Sequence, residues 1–162
     1  MHPKRIALSA LSGEFSKPID VFICCASYEA RSLSVADNLP LTSVRTALVL
    51  ENMDLAQHVD ENAQKLRDLF GAKAKDVPIS SVSPLEIADG IFGALNKRTR
   101  STPEHYLVDI TTFTHEGLLI LLKLLAMTVR SEDTVQVVYA SALCYGGGED
   151  TKVGDRWLSK GV

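Results

Sequence analysis

The sequence predicts an α/β fold: a three-layer, Rossmann-like parallel sheet of about five strands in the order 3-2-1-4-5. Three observations lead there. Short apolar runs alternate with stretches of helical spacing from residue 20 to residue 140. The run Asp20-Val21-Phe22-Ile23-Cys24-Cys25-Ala26 is almost continuously apolar, as expected of a parallel strand covered on both faces. The length, 162 residues, suits one hydrophobic core, so residues 1–162 are read as a single domain.

The elements follow in chain order. After the first strand, residues 28–39 turn to helical spacing and Pro40 ends them. The second strand is Thr46 to Glu51, and Asp54 can cap a helix whose Leu55, Val59, Ala63, Leu66 and Phe70 fall on one face. Gly71 stops that helix. The third strand, Ala74 to Ser80, contains Pro78, which lacks a ladder donor and so belongs at the sheet's margin. Ser83-Pro84-Leu85-Glu86 is a capping-box start for a helix reaching Asn96. The fourth strand, Tyr106 to Thr111, and the fifth, Val135 to Ala140, flank a helix from Thr114 to Arg130. The N-terminal Arg5 to Leu11 is expected as an extra edge strand. Gly146-Gly147-Gly148 opens a loop before Trp157, and the end without a helix cap is expected of a chain that natively continues past Val162.

Composition narrows the function. With 46% hydrophobic and 23% charged residues the chain can bury a core, and a net charge of -3 argues against a general duplex nucleic-acid binder, which needs a basic face. Lys97-Arg98-Thr99-Arg100 is basic, but cations there complement a helix carboxyl end. Cys24, Cys25 and Cys144 lack paired metal-site spacing and read as buried thiols in a reducing cytoplasm. Isolated His58 and His105 give no metal site. No GxGxxG or GxxxxGK[ST] element follows the first strand, so no dinucleotide or other cofactor is expected. The apolar Leu118 to Val129 contains Lys123 and is too short to span a bilayer, so no membrane partner is expected either.

Open α/β sheets bind ligands beyond the carboxyl ends of their strands, where the crossovers change faces. In the order 3-2-1-4-5 this nominates the loops after strands one and four, the two most polar junctions of the chain. In Ala26-Ser27-Tyr28-Glu29-Ala30-Arg31-Ser32, Ser27 can cap a helix, Arg31 can clamp a phosphate and Tyr28 can stack on a base or sugar. The plainer reading is that Ser27 only caps and Arg31 pairs with a surface acid. In Asp109-Ile110-Thr111-Thr112-Phe113-Thr114-His115-Glu116-Gly117, three threonine hydroxyls gather at a helix start whose amides attract anions, while Asp109 serves as buried support. His115 can transfer a proton, and Glu116 or Glu29 can act as a carboxylate catalyst; alternatively His115 only faces solvent and Glu116 only complements the helix dipole.

The helix beginning at Thr114 is apolar on nearly every side, through Leu118, Leu119, Ile120, Leu121, Leu122, Leu124, Leu125, Met127 and Val129. A surface helix keeps one polar side, so a second subunit or a further domain is expected against it. The other reading is a central helix flanked by Trp157 and the tail.

At its two junctions the chain resembles the CRISPR-associated Rossmann-fold sensor domains, known as CARF, and their relatives in bacterial antiviral defence. The resemblance rests on Asp20 to Arg31 as strand, loop and helix, and on Val108-Asp109-Ile110-Thr111-Thr112-Phe113-Thr114, similar to the family's hydrophobic-Asp-hydrophobic-Thr loop. It implies a dimer that binds cyclic oligonucleotides across its two-fold axis through these loops, and in some members cleaves them. The family loop commonly carries glycine, then threonine and a basic residue; here Phe113-Thr114-His115 stands instead, and Phe113 would restrict the backbone's approach to a phosphate. Asp20-Val21-Phe22-Ile23 also resembles the opening strand of TIR domains, without a match to their catalytic glutamate segment.

Three functions are therefore expected in competition. The first is a nucleotide-sensing domain of a homodimer, serving an effector beyond this chain, with Ser27, Tyr28, Arg31, Thr111, Thr112 and Thr114 on the ligand. The second is a hydrolase of a nucleotide or N-glycosidic bond using Glu29, Glu116 and His115. The third is a ligand-free assembly domain.

Overall fold

The computed structural model describes residues 4–53, 56–80, 83–96 and 102–141. Strands β1 (Ile19–Cys25), β2 (Val44–Asn52), β3 (Ala74–Ile79), β4 (His105–Asp109) and β5 (Thr134–Val138) form one sheet in the order β3-β2-β1-β4-β5. Every pairing is parallel. The predicted fold class and strand order are those of the structure.

Alternation along β1 divides the core. Phe22 and Cys24 face helices α1 (Arg31–Ser34) and α2 (Ala56–Phe70), while Val21, Ile23 and Cys25 face α3 (Pro84–Asn96) and α4 (His115–Thr128). The crossovers after β1 and β2 thus lie on one face and those after β3 and β4 on the other, which puts the switch between β1 and β4. On the first face the Phe22 and Phe70 rings meet at 5.5 Å between centroids.

Local chemistry explains each helix. In α2, Val59, Ala63, Leu66 and Phe70 are all buried, as their spacing predicts, and Gly71 follows at φ +54°, the left-handed conformation that ends a helix. Helix α3 starts with the Glu86 amide donating to Ser83 Oγ at 3.3 Å and buries Ile87, Ile91 and Leu95. It approaches β3 so closely that a Cβ at Gly90 would lie 2.9 Å from the Pro78 carbonyl oxygen, so this position requires glycine.

At the amino ends of the strands, the Asp20 carboxylate accepts from Arg45 Nη1 at 2.7 Å and from the His105 amide at 2.9 Å, joining β1, β2 and β4. Asp133 anchors β5. Burial would raise its carboxyl, but hydrogen bonds from Arg130 and from the Glu104 amide overcome that and hold it down at about 2.

Three expectations need correction. The N-terminal segment is not an edge strand: Leu8–Glu14 is a 3₁₀ helix that buries only Leu11, while Ile6 and Leu8 stay exposed. Its Leu8 and Leu11 are three residues apart, which is one 3₁₀ turn, whereas in a strand they would point to opposite faces. The first helix does not run from Tyr28 to Leu39. Only Arg31–Ser34 is α-helical, followed by a 3₁₀ turn at Ala36–Asn38, because Ser27, Ser32 and Asn38 side chains bond to nearby backbone groups that a helix would have used. Strands β4 and β5 end two residues earlier than expected, at Asp109 and Val138, so Ile110-Thr111 and Tyr139-Ala140 belong to the loops. Asp54, Leu55, Lys97 to Arg100, Cys144, the glycine loop and Trp157 lie outside the described residues. Among the described residues no helix is long and apolar enough to cross a membrane, and no three His, Cys, Asp or Glu side chains form a metal site.

Candidate functional site

Strands β1 and β4 are neighbours, with Val21 opposite Tyr106 and Ile23 opposite Val108, so both polar junctions leave the sheet side by side. Side-chain hydroxyls then fasten them. Thr112 Oγ1 donates to the Cys25 carbonyl at 2.6 Å, tying the loop after β4 to the end of β1. Asp109, only 2% exposed, accepts from the amide and the hydroxyl of Thr111, and the same Thr111 Oγ1 accepts from the Ala140 amide at 2.9 Å. The carboxyl ends of β1, β4 and β5 are thus held together by two threonines.

Burial pushes the Asp109 carboxyl up to about 6, against the opposing pull of the Thr111 hydrogen bonds. Burial, and then the charge of Asp109, push the Cys25 thiol up to about 12 and raise Cys24 as well. Neither cysteine can supply a thiolate near neutral pH, which agrees with the reading of both as inert buried thiols.

At the first junction Ser27 does not cap a helix. Its Oγ accepts from the Glu29 amide at 3.3 Å, a local turn, and α1 is four residues long with Ala30 at its cap position. Asn62 of α2 fixes this turn by donating to the Ser27 and Glu29 carbonyls at 2.7 and 3.4 Å. Arg31 pairs with Glu29 through Nε and Nη2, donates Nη1 to the Ala140 carbonyl at 3.2 Å, and bonds to the Tyr139 hydroxyl. Tyr28 is 68% exposed.

At the second junction Thr114 is the N-cap of α4, its hydroxyl accepting from the Gly117 amide at 3.1 Å. The Phe113 ring packs against the core on the α3 and α4 side, so the bulk expected to obstruct a phosphate is turned inward. His115 and Glu116 are exposed, and neither side chain has a hydrogen-bond partner among the described residues.

Every predicted ligand contact therefore falls on the two junctions, but Thr111 and Thr112 spend their hydroxyl protons inside the protein. Left at the surface of the junctions are the exposed Tyr28 ring and the partly exposed Arg31–Glu29 pair. Sequence reasoning did not find Asn62, Tyr139 or Ala140. The last two follow β5 at this same end, so the strand-end rule applied to the fifth strand would have found them; Asn62 left no signal.

Two cavities lie elsewhere. One of about 250 Å³ sits at the opposite end of the sheet, around Asp20, Arg45, Glu104 and His105, where Arg45 is paired with Asp20 and Glu104 accepts from the Tyr106 hydroxyl. The other, about 560 Å³, is a groove between α3 and edge strand β3, lined by Leu48, Val77, Gly93 and Ala94 among others. Neither contains residues of the two junctions. Compared with known proteins, the chain matches no family model and no curated sequence.

Proposed function

We propose that this domain senses a phosphorylated nucleotide at the mouth formed by the ends of β1, β4 and β5, in keeping with the resemblance of its two junctions to sensor domains of antiviral defence. One observation carries the reading: the two polar junctions meet at the crossover switch, fastened by Thr112 to Cys25, with Arg31 and the α4 amides beside them. Calorimetry of the full chain against linear and cyclic nucleotides tests it. At least one ligand is expected to bind, and Arg31→Ala is expected to weaken it about tenfold or more, the scale of a lost charge-assisted contact of ~1.5–3 kcal/mol. Absence of binding across the panel would sink the proposal.

A hydrolase reading has less support, because Glu29 is held by Arg31 and neither His115 nor Glu116 has an orienting partner. An assembly role has an observation of its own. Leu119 and Met127 on the outer side of α4 are 68% and 66% exposed, Val135 and Val137 on edge strand β5 are 39% and 50% exposed, and Tyr139 just beyond it is 52% exposed. Parallel strands are normally covered on both faces, and monomers rarely show apolar patches of this kind. A homodimer formed through α4 and β5 is consistent with sensing. Sedimentation is expected to show concentration-dependent dimerisation that Leu119→Glu abolishes; a monomer at every concentration would contradict it.

A further inference from the structure

Arg31 is the one lysine or arginine in the two junctions, and its guanidinium is already occupied. The edge formed by Nε and Nη2, which arginine offers to a phosphate in paired hydrogen bonds, is on Glu29 Oε2, at 3.0 Å from Nε. Nη1 holds the Ala140 carbonyl at 3.2 Å. Building on the nucleotide-binding reading above, we propose that Glu29 is an internal competitor: its carboxylate stands where a ligand phosphate binds, and the phosphate enters by exchanging with it.

Three observations support exchange. The backbone of Glu29 is pinned, its amide on Ser27 Oγ and its carbonyl on the Ser32 amide, Ser32 Oγ and Asn62. Vacating the guanidinium therefore takes rotation of one side chain, with no movement of the loop. The pair is partly solvated, with side-chain exposures of 26% for Arg31 and 37% for Glu29, so water screens it and little holds it shut. Arg31 itself stays aimed, because the Ala140 carbonyl and the Tyr139 hydroxyl retain it when Glu29 leaves. A carboxylate in this place makes the site selective. An uncharged nucleoside cannot displace it, whereas a phosphate monoester, with close to two negative charges near neutral pH, can.

The test is a titration of the full chain with inorganic phosphate, followed by NMR, comparing wild type with Glu29→Gln, Glu29→Ala and Glu29→Gln/Arg31→Gln. Both single variants are expected to bind phosphate about fivefold more tightly than wild type, the factor set by losing one partly exposed ion pair. The double variant is expected to lose that gain. Equal or weaker binding by both single variants overturns the inference, and so does a gain that survives in the double variant. The nucleotide panel separates this from the parent reading. If wild type binds a nucleotide while Glu29→Gln gains nothing, the competitor falls and the sensor stands; if Glu29→Gln gains phosphate affinity while neither protein binds any nucleotide, the reverse holds.

Discussion

Asp109→Asn is expected to stabilise the protein at pH 8 by about 1–3 kcal/mol and by roughly a third of that at pH 4.5. The carboxyl titrates at about 6 in the fold against an ordinary 3.8, because burial disfavours its charge. As acid is added, the folded chain takes up this proton before the unfolded chain does. Stability from this group therefore rises as the pH falls from about 6 towards about 4, and the full cost of the buried charge is present above pH 6. That difference corresponds to about 3 kcal/mol at most. Asparagine keeps an oxygen to accept from Thr111, so the loop's anchor survives while the charge is removed. Urea midpoints of both proteins at the two pH values measure the effect. Asp133 does not confuse the result: its depressed carboxyl contributes stability that is lost only as the pH falls through about 2. Destabilisation at pH 8 that disappears at pH 4.5 would show that Asp109 is needed charged, and would overturn this expectation.

Phe22→Ala is expected to cost about 3–5 kcal/mol, the usual range for emptying a buried aromatic position. Phe22 is fully buried in the central strand and packs on Phe70 of α2 across the first face. Domains of this kind have about 5–15 kcal/mol in total, so the variant would spend a large part of its margin. The strand it weakens carries Ala26 to Arg31 at its end, so ligand binding should decline with folded fraction as temperature rises. A denaturant midpoint unchanged from wild type would mean that the two faces of the core do not depend on β1 as described.

The fold was legible because its signals are redundant. The apolar run at Val21 to Ala26, the spacing of Val59, Ala63, Leu66 and Phe70, the Ser83-Pro84 start and the marginal Pro78 each point to the same layered sheet, and the strand order follows from where the crossovers change faces. The site was legible only as a location. Residue types placed Arg31 and three threonines at the switch, but hydroxyl partners depend on ångström-scale positions that a one-dimensional pattern does not contain. Thr111 and Thr112 were expected on the ligand, yet their protons go to Asp109 and the Cys25 carbonyl. Ser27 was expected to cap a helix, and local backbone bonding shortened that helix instead. Arg31 allowed both a clamp and a plain ion pair, and the structure shows the ion pair. Its neighbours Tyr139 and Ala140 are separated from it by more than a hundred residues, beyond any local motif.

The two threonine fastenings bear on the thermodynamics of recognition. Since the ends of three strands are already immobilised by the protein's own bonds, an incoming molecule would not have to order those segments, and the conformational penalty of association would fall on the Tyr28, Glu29 and Arg31 side chains and on the molecule itself. A ligand bound there would meet strand ends whose shape is already set, with the Glu29 side chain left to move aside, and it could leave without those ends coming apart.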